Sequence, residues 1–215
     1  MEKSLFIAIE GPIGVGKTTL ARLLQPHFEA KLLLENFEGN PFLGDFYADR
    51  RKYAFQTQIF FLLSRYQQHI HLAEPGWLEA NVLSDYTFVK DRLFAYLNLS
   101  PEELELYEQI HTILAEGIRH PNLIVYLKAS LDVLMERIAF RDRPYERNMD
   151  RDYIEEVRLA YERFYARYNE VPILALDTDH LNFVRNPEDL NYIVRRVRLA
   201  LKGEGYQKTL PSLDL

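Results

Sequence analysis

Phe6–Leu20 reads FIAIEGPIGVGKTTL, in which a strand-length apolar run leads into a helical pattern of apolar residues. Between the two, Gly11–Thr18 fits G-x-x-x-x-G-K-[ST], the P-loop pattern. This motif requires a strand before it and a helix after it, and both are present in the pattern of the chain. The stretch therefore predicts a site that binds the phosphates of a nucleotide.

The residue types of the motif suit phosphate binding. Glycines let successive backbone N–H groups surround an anion, and the following helix directs its positive dipole end to the same place. Lys17 is expected to reach the β- and γ-phosphates, and Thr18 to place its hydroxyl on Mg²⁺. The predicted phosphate-binding residues are Gly11, Pro12, Ile13, Gly14, Val15, Gly16, Lys17, Thr18 and Thr19.

The composition is that of an ordinary globular protein. With 215 residues, 47% hydrophobic and 27% charged, the chain predicts one domain, 1–215, with a sizeable core. The net charge of −6 argues against a nucleic-acid partner, and the lack of cysteine excludes disulfides and thiolate metal sites. No apolar run approaches membrane length, and a strand stands where a signal peptide would lie. We expect a cytoplasmic protein with no membrane partner.

Short apolar runs alternate with helical patterns along the chain. This alternation predicts an α/β fold, a three-layer sandwich in which a five-stranded parallel sheet has helices on both faces. A Ser-Pro-Glu-Glu sequence at Ser100 predicts a capped helix start, and residues 203–215 read as a tail. The predicted strands are Leu5–Ile9, Lys31–Leu34, Leu78–Ser84, Leu123–Leu127 and Val171–Leu176.

Two carboxylates follow predicted strands directly. Glu35 follows the second strand and Asp85 the third, and ligands of open parallel sheets bind at the carboxyl ends of strands. Glu35 is placed to act as a general base, although a solvated loop glutamate would look the same. Asp85 is of the type that helps to hold Mg²⁺ in P-loop proteins. The predicted metal site is Thr18, Glu35 and Asp85.

Two polar side chains share a face of the helical segment Tyr53–Gln68. Gln58 and Arg65 are seven residues apart, and each can pair with the edge of a nucleobase. Gln56 lies on another face and is the less favoured glutamine. The alternative is that these side chains are simply solvated.

The most densely charged stretch surrounds Arg141 and Arg143, and we place an Arg-rich lid at about 137–150. Arginine suits a phosphoryl group in transfer, so the stretch predicts a segment that closes over phosphate. A solvated turn is the alternative.

Together these motifs resemble the deoxynucleoside kinases from Leu5 to about Asp179. That resemblance implies transfer of a phosphoryl group from ATP, with Mg²⁺, to the 5′-hydroxyl of a deoxynucleoside. It implies that Glu35 is the general base, that Tyr47 contacts the sugar 3′-hydroxyl, that Gln58 and Arg65 read the base, and that Phe94 stacks on it.

The resemblance extends to the lid. Arg141, Arg143 and Glu146 match the R-x-R-x-x-E pattern, with the glutamate facing the 3′-hydroxyl. Arg137 matches an additional phosphate-binding arginine, which makes Glu35, Lys17, Arg137, Arg141 and Arg143 the predicted catalytic residues. The loop of Asp177, Thr178 and Asp179 would border the adenine of ATP. The resemblance also implies a homodimer, and it is closest to the bacterial purine-type enzymes that act on deoxyadenosine and deoxyguanosine.

One motif departs from the family. Ser84-Asp85-Tyr86 stands where the family has an acid-Arg pair, and that Arg normally neighbours the catalytic glutamate. Asp85 replaces either the acid or the Arg, depending on alignment. Lys90, Asp91 and Arg92 are the candidates to compensate for the missing cation.

Two other functions fit parts of the pattern. A nucleoside-monophosphate kinase of the thymidylate type has a similar scaffold, but its anionic acceptor requires cations where this chain has Glu35. A non-catalytic ATP-binding module is the second alternative. The N-K-x-D signature of guanine-specific switches is absent, which disfavours a GTPase.

Overall fold

The protein was analysed as a computed structural model, which describes residues 4–205. In this part of the chain five parallel strands form one sheet in the order β2-β3-β1-β4-β5. The strands are β1 (Phe6–Glu10), β2 (Ala30–Leu33), β3 (Asn81–Ser84), β4 (Leu123–Lys128) and β5 (Ile173–Asp177).

Nine α-helices connect and flank these strands within the described residues. They are α1 (Lys17–Phe28), α2 (Leu43–Ala48), α3 (Arg50–Ile70), α4 (Pro75–Leu78), α5 (Lys90–Asn98), α6 (Pro101–Ala115), α7 (Leu131–Arg141), α8 (Arg151–Arg167) and α9 (Pro187–Leu201).

The predicted three-layer sandwich is confirmed. Every residue of β1 is buried, as are five of the six in β4, because central parallel strands are covered on both faces. Helices α1 and α9 pack together, while α3, α5 and α8 pack side by side. A strand that is covered on both faces needs apolar residues at successive positions rather than at alternate ones.

The predicted start of the third strand is wrong. Pro75 opens a short helix that runs to Leu78, whose side chain is exposed, and β3 begins only at Asn81. Proline is favoured at the first position of a helix, and this local signal outweighs the apolar character of Leu78. The capped helix start is confirmed, since Ser100 and Glu103 form a reciprocal capping box at α6.

The P-loop glycines are required by packing as well as by phosphate binding. Gly11 and Gly14 have positive φ angles of 146° and 88°. A Cβ on Gly11 would lie 2.5 Å from the carbonyl oxygen of Leu127 in β4, and one on Gly14 would lie 2.9 Å from that of Leu134 in α7. The loop is therefore in close contact with β4 and with the helix that leads into the predicted lid.

The predicted tail falls largely on residues 206–215, which lie outside the described residues. Helix α9 ends at Leu201. None of the helices between residues 4 and 205 is long and apolar enough to cross a bilayer.

Near its end, α3 carries a histidine that is buried in an aromatic cluster. The His69 ring packs against Phe6, Tyr86 and Phe88, and neither ring nitrogen has a hydrogen-bond partner. Burial, together with the nearby charge of Arg65, lowers the pKa of His69 from 6.5 to about 4. The ring is therefore neutral in the folded protein at neutral pH.

This burial predicts a loss of stability in mild acid. Between pH 6.5 and pH 4 the unfolded chain takes up a proton on His69 that the folded chain rejects, so the free energy of unfolding falls by roughly 3 kcal/mol from this group. His69→Phe should flatten the pH dependence in that window, measured by urea unfolding. His71→Gln, at an exposed histidine, is the control, and equal slopes for His69→Phe and the parent protein would contradict the assignment.

Candidate active site

A cavity of about 890 Å³, counting its open mouth, lies where the carboxyl ends of the strands meet the P-loop. Its position is where open parallel sheets bind ligands. Every residue predicted to bind the acceptor lines this cavity, together with the P-loop and the lid: Ile13, Gly14, Lys17, Thr18, Glu35, Tyr47, Gln58, Arg65, Asp85, Phe94, Arg141, Arg143 and Glu146.

Lys17 occupies the phosphate end of the cavity. Its Nζ donates to the carbonyl oxygens of Gly11 at 2.8 Å and Pro12 at 3.0 Å. Burial, and then repulsion by Lys90, lowers the pKa of Lys17 to about 7, although nearby carboxylates act in the opposite direction. A bound phosphate would stabilise the charged lysine, because it offers anionic oxygens in place of neutral carbonyls.

Glu35 lies at the acceptor end and is held by two cations. Arg65 donates to its Oε1 from Nε at 2.8 Å and from Nη2 at 2.5 Å, and Lys90 Nζ lies 3.0 Å from its Oε2. Burial alone would raise the pKa of Glu35, but Lys90 and Arg65 outweigh it and hold that pKa well below its usual range. The carboxylate is therefore ionised at neutral pH and can accept hydrogen bonds only.

Lys90 supplies a cation beside Glu35, which the motif Ser84-Asp85-Tyr86 lacks. It is the first residue of α5, its side chain is 5% exposed, and its ammonium bridges both oxygens of Glu35. Arg92 points elsewhere and pairs with Glu108 at 3.0 Å near the surface, and Asp91 pairs with Arg65. Among the three candidates named from the sequence, Lys90 is the one beside the carboxylate.

Asp85 joins the P-loop to Glu35. Its Oδ2 accepts a hydrogen bond from the Thr18 hydroxyl, and its Oδ1 accepts one from the backbone N–H of Glu35 at 2.8 Å. Burial and the charge of Glu35 raise the pKa of Asp85. Between residues 4 and 205 no group of three His, Cys, Asp or Glu side chains could hold a metal by itself.

Thr18 and Asp85 nevertheless fit magnesium. Mg²⁺ is commonly held by one or two protein oxygens and completes its shell with water and substrate phosphates. Both oxygens lie beside Lys17, where phosphates are expected, whereas the carboxylate of Glu35 is already bonded to Arg65 and Lys90. Thr18 and Asp85 are thus the better supported members of the predicted metal site.

Gln58 and Arg65 do line the cavity, but their polar groups already have protein partners. Gln58 Nε2 donates to the carbonyl oxygen of Asp91 at 2.9 Å and to its carboxylate, and Arg65 Nη1 lies 2.8 Å from Asp91 Oδ2. Sequence spacing revealed their common face but neither the hydrogen bonds of Gln58 nor the ion pair of Arg65 with Asp91. Gln56 is exposed, as expected for the other face, and the base-reading role of Gln58 and Arg65 stays a prediction.

Aromatic rings form much of the remaining wall. Phe94 lines the cavity and makes an edge contact with Tyr161, with ring centroids 6.1 Å apart. Tyr47 stacks on Tyr145 of the lid, with centroids 6.2 Å apart and an interplanar angle of 6°. Sequence reasoning missed Tyr145, although it lies within the lid pattern.

The lid is folded over the cavity mouth. Arg141 Nε donates to Glu146 Oε2 at 2.9 Å, and Arg143 lies 3.6 Å from Glu146 Oε1. The guanidinium of Arg143 also lies over the ring of Phe37, 3.9 Å from its centroid. The predicted lid residues are therefore brought together, and in this arrangement both arginines pair with the single carboxylate of Glu146.

Arg137 does not line the cavity. Its guanidinium donates to the carbonyl oxygen of Val15 at 3.2 Å and to the hydroxyl and carbonyl oxygens of Thr178 at 3.0 and 2.8 Å. It thus fastens the P-loop to the predicted adenine loop. In that loop Asp179 accepts from the backbone N–H of Ser130 at 2.7 Å, and Asp177 is the exposed last residue of β5.

A P-loop, a paired carboxylate opposite it and an arginine lid between them define a phosphotransferase of the P-loop class. The family model described as "Deoxynucleoside kinase" matches residues 7–202. The chain belongs to the deoxynucleoside kinase family.

Curated relatives agree with this assignment, and a solved structure shares the fold. A deoxyguanosine kinase of Bacillus subtilis (strain 168) is 38% identical over 206 residues, which cover 92% of this chain and 98% of the relative. A deoxyadenosine kinase of Dictyostelium discoideum is 34% identical, over 88% of this chain and 77% of the relative. The structure of deoxyadenosine kinase from M. mycoides with bound dATP has a TM-score of 0.78 at 24% identity, covers 90% of this chain and 99% of that one, and shows the shared fold.

The position of Lys90 predicts a specific defect. Lys90→Gln removes one of two cations from Glu35 and should lower kcat by about ten- to a hundredfold, because that charge is preorganised beside the reacting groups. KM for ATP should change little. The measurement is steady-state kinetics, with melting temperature as a check on folding.

Arg92→Gln is the matched control, since Arg92 lies on the same helix but pairs with Glu108 near the surface. Equal effects of the two substitutions would show that Lys90 has no particular role beside Glu35.

Proposed function

We propose that this chain transfers the γ-phosphoryl group of ATP to the 5′-hydroxyl of a purine deoxynucleoside, with Mg²⁺. The observation that carries the proposal is Glu35, an ionised carboxylate in the cavity opposite the P-loop, held by Arg65 and Lys90. A carboxylate that can only accept hydrogen bonds suits a neutral hydroxyl group as its partner.

In this mechanism Glu35 orients the acceptor hydroxyl and takes its proton as the new bond to the γ-phosphorus forms, while the bond from that phosphorus to the β,γ-bridging oxygen breaks and ADP leaves. Phosphoryl transfer passes through a loose transition state that demands little of the nucleophile, so a carboxylate of low pKa is sufficient. Lys17, with Arg141 and Arg143 of the lid, stabilises the charge that spreads over the transferring group.

Closure of the lid excludes water. Water is a competing acceptor, so the stack of Tyr145 on Tyr47 over the cavity favours transfer to the nucleoside over hydrolysis. Glu146, freed from the arginines by phosphate, becomes available for the sugar 3′-hydroxyl beside Tyr47. Thr18 and Asp85 would hold the magnesium ion, which supplies positive charge to the phosphate oxygens.

An anionic acceptor, as in a thymidylate-type kinase, fits this cavity less well. The two cations of the acceptor end are already committed, Lys90 to Glu35 and Arg65 to both Glu35 and Asp91. A monophosphate placed beside Glu35 would be repelled by that carboxylate and would have to compete with it for Lys90 and Arg65.

The preference for a purine rests on relatives rather than on the geometry. The relatives at 38% and 34% identity are named for deoxyguanosine and deoxyadenosine. Phe94 offers a ring on which a flat base can stack. The homodimer and the cytosolic location stay predictions.

The acceptor is tested by ADP release with ATP-Mg²⁺ and each of five acceptors: deoxyadenosine, deoxyguanosine, deoxycytidine, thymidine and dTMP. We expect turnover with a purine deoxynucleoside. Turnover with dTMP alone would reassign the protein to the monophosphate kinases, and turnover with pyrimidine nucleosides alone would overturn the base preference.

Glu35→Gln keeps the shape of the side chain and removes its charge. We expect kcat to fall by about 10²–10⁴-fold while ATP still binds, because the hydroxyl loses its proton acceptor. ATP affinity is measured separately by calorimetry. Near-normal turnover of this variant would remove Glu35 from the mechanism.

A further inference from the structure

Glu10 is a fully buried carboxylate that the mechanism does not use. It is the last residue of β1, its exposure is 0%, and it is not among the residues that line the cavity. Burial raises its pKa, and the nearby charges of Lys90 and Lys17 act against that rise. A buried carboxylate is costly unless hydrogen bonds and opposite charges compensate for the lost solvation, so its partners indicate what it does.

Those partners come from separate parts of the fold. Oε1 accepts from the backbone N–H of Thr87 at 2.6 Å and from its hydroxyl at 2.8 Å. Oε2 accepts from the Tyr161 hydroxyl of α8 at 3.2 Å and from the N–H of Gly11 at 3.3 Å. The shorter bonds go to Thr87, in the loop between β3 and α5.

Thr87 in turn fixes the start of α5. Its hydroxyl oxygen accepts from the backbone N–H of Lys90 at 3.2 Å, while its hydrogen goes to Glu10. Lys90 is the first residue of α5, and its side chain reaches back to Glu35. The hydroxyl of Thr87 thus holds the backbone N–H of Lys90 at the start of α5, and the carboxylate of Glu10 orients that hydroxyl.

A long side chain needs this support. Lysine carries a point charge on a flexible four-carbon stem, so its backbone position and direction decide where the charge lies. Catalytic groups lose much of their effect when displaced by about 1 Å.

We propose that Glu10 is a positioning residue for catalysis, acting through Thr87 to hold Lys90 against Glu35. The same carboxylate also accepts at 3.3 Å from the N–H of Gly11, the next residue of the chain and the first of the P-loop. The inference rests on the proposed function, because Glu35 and Lys90 act in that reaction.

The first test is Thr87→Val, which keeps the shape of the side chain and removes the oxygen between Glu10 and Lys90. We expect kcat to fall by about tenfold or more with KM for ATP nearly unchanged, while the melting temperature falls because Glu10 and the Lys90 N–H each lose a hydrogen bond. Thr87→Ser restores the oxygen and should recover most of the rate. A Thr87→Val protein with parent kcat would overturn the proposal.

The matched control is Tyr161→Phe, which removes the other side-chain bond to Glu10 and keeps the ring. If Glu10 acts through Thr87, this variant retains kcat within about twofold. Equal losses of kcat and melting temperature in Tyr161→Phe and Thr87→Val would mean that Glu10 only stabilises the fold, and would overturn the proposal.

A double-mutant cycle tests whether Thr87 acts through Lys90. In a Lys90→Gln background, Thr87→Val should cost less than about twofold in kcat, because the positioned charge is already gone. Losses that multiply would overturn the proposal. Should Thr87→Val fail to fold, Glu10→Gln serves in its place, and a parent kcat in that variant overturns the proposal equally.

Turnover of the unaltered protein is measured first, with the five acceptors named above. Its absence would overturn the proposed function and this inference together. Turnover of the parent protein combined with an unaffected Thr87→Val variant would overturn this inference alone.

Discussion

The site depends on keeping Glu35 charged although its side chain is largely buried. A carboxylate in that position is unstable by itself, because burial favours its neutral form. Arg65 from α3 and Lys90 from α5 stabilise the charged form of Glu35 by pairing with it from two sides. Both side chains are themselves buried. The two helices must therefore be fixed relative to β2, and Asp91 and Thr87 do this by bonding Arg65 and the start of α5.

The motif after β3 supplies no arginine, and Lys90 of α5 lies beside Glu35. Tyr86, which follows Asp85, is fully buried and donates its hydroxyl proton to Gln68 at 2.8 Å. The first residue of α5 thus provides a cation to the carboxylate that follows β2.

The fold was predictable because its signals are local. The P-loop pattern, the five apolar runs and the rule that ligands bind at the carboxyl ends of strands located the cavity, Glu35 and Asp85 without any structure. The helix that begins at Pro75 made only the predicted start of β3 wrong. The spacing of Gln58 and Arg65 placed them correctly on one face, because helical periodicity is a property of neighbouring residues.

The pairings inside the site were not predictable. Lys90 meets Glu35 across 55 residues, and Thr87 meets Glu10 across 77, so no spacing in the sequence relates them. Arg137 matches a phosphate-binding arginine through the family resemblance, and that role stays a prediction; its contacts to Val15 and Thr178 could not be read from the sequence. Such contacts depend on how helices and strands pack against one another, and the periodicity of a sequence carries no information about that packing.

The close contact between Gly14 and α7 constrains the sequence at this point. A Cβ on Gly14 would lie 2.9 Å from the carbonyl oxygen of Leu134 and 2.8 Å from the side chain of Ile138, and the φ angle of Gly14 is 88°. A residue other than glycine would therefore displace the helix that carries Arg137 and Arg141. The glycine that leaves the backbone N–H groups of the loop open to an anion is thus also the one that lets the helix bearing these two arginines approach the loop.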